Sequence, residues 1–136
     1  MFKLNDRIDN DTFEICDLSL CKVLLMNDQN YPWIILIPMR ADICEIHHLD
    51  RDDQMKVMDD IDQASKIMEK LFAPKSMNVA ALGNVVSQLH IHIVARFEDD
   101  ATWPGPIWGQ KPAIAYTDDQ RLLSLKDAFQ QLQKSS

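Results

Sequence analysis

Ten residues, Ser87-Gln88-Leu89-His90-Ile91-His92-Ile93-Val94-Ala95-Arg96, constrain this chain more than any other stretch. Apolar residues alternate with polar ones and branched residues are enriched, which is the pattern of a strand. Successive strand side chains point to opposite faces. Leu89, Ile91 and Ile93 are therefore expected to face a core, while Gln88, His90 and His92 form a row on the other side. Imidazole titrates near neutral pH and can serve as nucleophile, acid or metal ligand. A strand holds such groups more rigidly than a loop.

The rest of the chain supplies partners for that strand. Residues 13–18 and 21–26 read as two strands joined by a tight turn at Ser19-Leu20. Residues 27–32 form a polar loop rich in turn residues. Trp33 to Ile37 is a nearly continuous apolar strand that Pro38 ends. Asp50 reads as a helix N-cap with Asp52 and Asp53 in the first turn. Met55, Met58, Ile61, Ala64, Met68, Leu71 and Phe72 follow at helical spacing, with Pro74 marking the end. The Met-rich stripe is read as packing, and the acidic face as solvated. Residues 78–83 read as a further strand, with a turn at Gly83-Asn84. The prolines, tryptophans and glycines between Asp100 and Pro112 predict a structured loop. Thr117 or Asp118 caps a last helix, about 117–133, with Leu122, Leu125, Ala128, Phe129 and Leu132 inward. Strands, helix, strands, helix with hairpin-length turns predict an α+β fold: a mainly antiparallel sheet with one long helix and a C-terminal helix. No repeat or linker interrupts residues 1–136, so one domain is expected.

Composition excludes several classes. A net charge of −7 argues against a nucleic-acid partner, which needs a basic face. It leaves room for a small anionic ligand held by a few local donors. No apolar run reaches the roughly 20 residues of a membrane span. The first residues lack a long apolar core, so no signal peptide is expected. Cys16, Cys21 and Cys44 form no Cys-x-x-Cys pair and are read as reduced thiols of a cytoplasmic protein.

The row Gln88, His90, His92 resembles the strand of the histidine triad (HIT) superfamily, which carries three alternate histidines followed by apolar residues. The resemblance spans roughly residues 13–110. It includes Leu25-Met26-Asn27 and Trp33-Ile34-Ile35-Leu36-Ile37-Pro38 upstream, and Arg96 and Trp103-Pro104-Gly105 downstream. The chain looks most like small bacterial HIT proteins described as diadenosine-tetraphosphate-hydrolase-like. The resemblance implies a HIT-like fold, a homodimer, and hydrolysis or transfer at the α-phosphate of nucleoside polyphosphates or nucleotide conjugates. His90 would form the covalent nucleotidyl-imidazole, a role that suits a neutral imidazole. His92 would hydrogen-bond a phosphate oxygen or the leaving oxygen. Asn27 would meet the ribose hydroxyls. Asn84, Arg96 and Trp103 complete the expected substrate contacts, with Arg96 as the cation nearest the phosphates.

Two positions depart from the pattern. Gln88 stands where the first histidine would be, and an amide cannot titrate. Trp33 stands in Tyr31-Pro32-Trp33 where many HIT proteins have Pro-Gly-His, and it cannot do acid–base work. These departures keep open a non-catalytic nucleotide sensor or adaptor. A metal-binding domain using His90 and His92 is a third reading. Cys44, His47 and His48 lack a standard zinc spacing, so no structural metal and no required cofactor are expected. A divalent cation could accompany the substrate's phosphates.

Overall fold

A computed structural model of the protein describes residues 1–134. Five strands, β1 (Thr12–Asp17), β2 (Cys21–Met26), β3 (Trp33–Pro38), β4 (Ser76–Ala80) and β5 (Ile91–Arg96), form one antiparallel sheet in the order β1-β2-β3-β5-β4. Among the described residues, three α-helices, α1 (Asp6–Asp11), α2 (Arg51–Phe72) and α3 (Gln120–Lys134), and one short 3-10 turn (Ile46–His48) accompany it. The architecture is α+β with a mainly antiparallel sheet, as the sequence predicts.

The central strands of the sheet are buried on both faces, but by different means. On one face Val23, Leu25, Ile34, Leu36, Ile91 and Ile93 pack with α2 through Ala64 and Met68, and with α3 through Leu125 and Phe129. Burying each large apolar side chain contributes about 1.5–3 kcal/mol, so this layer supplies most of the fold's cohesion. On the other face Leu24, Ile35 and Ile37 pack with Ile8 of α1 and with partly buried neighbours such as Trp33 and Val86. The thinner covering leaves space, and His90 and His92 lie there.

Asp50 caps α2 as expected, its carboxylate accepting from the Asp53 N–H. The inward stripe of α2 differs from the expected one. Met55 and Met58 are exposed, while Val57, Asp60, Ala64 and Met68 are buried. The acidic side is not wholly solvated either. Asp60 turns inward and its carboxylate accepts from the backbone N–H groups of Ser19, Leu20 and Cys21 and from the Ser19 hydroxyl. Four donors compensate the burial of that charge, and the β1–β2 turn is thereby tied to the helix. Asp53 is held by Arg40 at 2.8 and 3.1 Å.

Two boundaries matter for the site. The expected strand over 87–96 enters the ladder only at Ile91, so Gln88 and His90 belong to a lead-in segment anchored by the Leu89 N–H on the Ile43 carbonyl. β4 ends at Ala80, and residues 81–86 form a loop with Gly83 at φ +71, a conformation that favours glycine. At the other end of the chain, the Asp118 carboxylate accepts from the Gln120 N–H at the start of α3.

Candidate active site

His90 and His92 lie on the thinly covered face and line a cavity of about 460 Å³. Its walls come from α1 (Arg7, Ile8, Asp11), from Trp33 and Ile35 of β3, from the 82–86 loop, and from Trp108-Gly109. The two imidazole rings stand edge to face with centroids 4.9 Å apart.

Hydrogen bonds assign different roles to the two rings. Nδ1 of His90 lies 2.7 Å from the Gln88 carbonyl oxygen. A carbonyl only accepts, so Nδ1 carries the hydrogen, and in the neutral ring Nε2 carries the lone pair. His92 has the opposite tautomer. The Trp33 indole N–H donates to its Nδ1 at 3.0 Å. An indole nitrogen donates only, so the lone pair is at Nδ1 and the hydrogen at Nε2. Burial, reinforced by the neighbouring His90, pushes His92 down to about 4. The free Nε2 therefore carries a lone pair in the neutral His90 ring and a hydrogen in His92.

Gln88 does not share the cavity with them. Its side-chain oxygen accepts from the Asn5 N–H at 2.8 Å and its NH₂ donates to the Lys3 carbonyl at 2.8 Å. This corrects the expectation of a catalytic row of three. The lead-in segment has left the strand geometry, and the amide clips the N-terminal segment to the site. Asn5 in turn caps α1, its side chain accepting from the N–H groups of Arg7 and Ile8. That helix brings Arg7, Ile8 and Asp11 to the wall. Asn5 directly before Asp6 was the sequence signal for it.

Arg96 also requires correction. It is 1% exposed and does not line the histidine cavity. Its guanidinium forks onto Asp100 at 2.8 and 3.1 Å, and donates to the Asn78 side chain and the Gly105 carbonyl. Tyr31 and Trp103 stack near it at 5.8 and 5.7 Å. Its donors are committed, so it organises the 97–105 loop and cannot also hold phosphate. Trp103 therefore belongs to this cluster, and the tryptophan that lines the cavity is Trp108, edge-on to His92 at 5.2 Å. The buried Trp108 indole N–H has no hydrogen-bond partner among the described residues.

Asn84 sits on the exposed rim of the cavity, just after Gly83. Asn27 lines an adjoining cavity that shares Met26, Trp33 and Trp108 with the first, and its side-chain oxygen accepts from the Tyr116 N–H. Burial pushes the Cys16 thiol up to about 11 and raises Cys21 as well, which removes both as nucleophiles at neutral pH. Among the described residues, no three His, Cys, Asp or Glu side chains come together as a metal ion would need, and no helix is long and apolar enough to cross a membrane.

The HIT domain family model matches residues 7–99. A histidine triad protein from Bradyrhizobium japonicum is 40% identical, with 96% of each chain covered and a TM-score of 0.91. One from Marinobacter aquaeolei VT8 is 41% identical, covering 99% of this chain and 98% of that one, also at 0.91. A Plasmodium falciparum diadenosine triphosphate hydrolase shares the fold alone, at 15% identity and a TM-score of 0.66 over 98% of this chain and 82% of that one. No curated protein matches the chain in sequence. The chain belongs to the HIT domain family.

Proposed function

We propose that the protein is a nucleotide hydrolase or transferase acting at the α-phosphate of nucleoside polyphosphates or nucleotide conjugates, with diadenosine tetraphosphate as the representative substrate. The observation that carries this is the His90 tautomer. Its Nδ1–H is committed to the Gln88 carbonyl, so Nε2 holds a lone pair beside a cavity of about 460 Å³. Nε2 attacks phosphorus, the leaving phosphate departs, and water resolves the nucleotidyl-imidazole. Nε2–H of His92 donates to a phosphoryl oxygen where charge develops. Ile8, Met26, Ile35, Leu82 and Val86 offer an apolar seat for a base. Asn84 and backbone N–H groups near Gly83 are positioned to meet phosphate from the rim.

Intact-mass spectrometry after mixing with diadenosine tetraphosphate tests the reading. An added nucleotidyl group that disappears in His90→Ala supports it. Binding without adduct or turnover would make the protein a nucleotide sensor or adaptor instead. We also propose a homodimer formed along β4. That strand ends the sheet with one side unpaired, and Val79, Leu82 and Val85 are exposed beside it. Light scattering of wild type against Val79→Lys checks this, with a shift to monomer expected in the variant.

A further inference from the structure

We propose that Trp33 restricts this site to substrates whose leaving group departs without a proton, favouring phosphoanhydrides over phosphoramidates, by fixing His92 as a donor that cannot act as an acid. This rests on nucleotidyl transfer to His90. Trp33 opens β3 and crosses to β5, where its indole N–H meets Nδ1 of His92 at 3.0 Å. To become an imidazolium, His92 would need a second hydrogen on Nδ1, facing that N–H in a position 5% exposed. Two donors would then oppose each other without an acceptor, a costly arrangement in a buried place. The low affinity of His92 for a second proton agrees with this geometry. Its Nε2–H alone is far too weak an acid to be given up.

Among the described residues lining the cavity, none replaces it. Trp33 and Trp108 do not titrate, and His90 carries the nucleophilic lone pair. Gln88 is an amide occupied on Lys3 and Asn5. From α1, Arg7 and Asp11 are paired with each other at 3.9 Å, and a guanidinium does not serve as a proton donor.

The consequence follows from the balance of the step. A bond forms between Nε2 of His90 and phosphorus while the bond from phosphorus to the leaving atom breaks. In an anhydride the electron pair leaves on oxygen, which becomes an ordinary terminal phosphate oxygen and needs no proton. In a phosphoramidate the pair would leave on nitrogen, and an amine departs only after that nitrogen is protonated. Water then attacks phosphorus, the pair returns to Nε2, and the proton from water goes to solvent. Trp33 is thus a positioning residue that sets leaving-group specificity.

The test compares diadenosine tetraphosphate with adenosine 5′-phosphoramidate, which would leave the same adenylyl group on His90. General acid catalysis contributes about 10²–10⁴-fold. Wild type should therefore cleave the anhydride at least about 10²-fold faster. Trp33→Phe frees Nδ1 and should narrow that ratio by about tenfold or more, adding an acidic limb to the pH profile. Nitrogen-15 NMR of the wild type should show His92 as the Nε2–H tautomer, without titration between about pH 5 and 8. Comparable rates on both substrates, or a His92 that titrates in that range, overturn the proposal. If Trp33→Phe does not fold, the wild-type ratio and spectrum decide alone. Adducts that form equally from both substrates remove the restriction but keep the transfer reading. The absence of any adduct removes both.

Discussion

One face of β5 and its lead-in segment carries two clusters built from opposite principles. Toward the C-terminal end, Arg96 is buried with its guanidinium saturated by Asp100, Asn78 and Gly105. Toward the N-terminal end, His90 and His92 each use one ring nitrogen in a fixed hydrogen bond and present the other to a cavity. Satisfaction of donors separates structural from chemical groups here, although residue type suggested the reverse for Arg96. A cation at the end of the histidine strand looks like a phosphate ligand until its partners are counted.

Removing each cluster in turn should give different kinds of loss. His90→Ala should abolish turnover, by roughly 10³-fold or more, with the melting temperature nearly unchanged because the ring is only half-buried. Stopped-time assays with diadenosine tetraphosphate and a thermal melt check both halves. An equally destabilised His90→Ala would erase the contrast. Arg96→Ala should instead cost about 3–5 kcal/mol of stability, because it leaves the Asp100 charge buried without its partner. Denaturant unfolding measures it, and a loss confined to ligand affinity would return Arg96 to the binding site.

Acid should also act differently on the two ends. Burial alone would push the Asp100 carboxyl up, but Arg96 and the backbone N–H groups of Phe97 and Thr102 outweigh it and hold it at about 2. The unfolded carboxyl titrates near 3.9, so this contribution is complete above about pH 4 and disappears as pH falls toward 2. His92 works over a higher window. Below its unfolded value near 6.5 the unfolded chain takes a proton that the folded ring refuses, so stability falls from about pH 6.5 down to 4, by about 3 kcal/mol in all. His92→Gln should flatten the pH dependence of unfolding in that window and leave the limb below about pH 4 intact. An unchanged slope between about pH 6.5 and 4 would show that His92 is not held neutral.

The smallest expected effect is at Gln88. Gln88→Ala removes two hydrogen bonds to the N-terminal segment, worth about 1–3 kcal/mol together. Faster hydrogen exchange at Asn5 and within α1, with a smaller drop in turnover than for His90→Ala, is the expected outcome. Gln88→His should behave similarly and not as a gain of a third catalytic imidazole, since the position faces Lys3 and Asn5. A large rise in turnover in Gln88→His would break the distinction between clip and catalyst.

The sequence by itself determined the order of the five strands and the two long helices, the antiparallel α+β architecture and the histidine pair, but not the short helix α1. Those features rest on local periodicities of two and 3.6 residues, on caps such as Asp50, and on a compact motif. Tertiary structure decided what each polar group does. Trp33 and His92 meet across the β3–β5 pairing, Gln88 meets Lys3 and Asn5 from the far end of the chain, and Asp60 finds the β1–β2 turn. Residue type at Trp33 indicated only a missing acid–base group, whereas its hydrogen bond fixes the tautomer of the neighbouring ring. Hydrogen bonds act over about 3 Å, and no pattern along the chain specifies which distant donor will arrive within that distance.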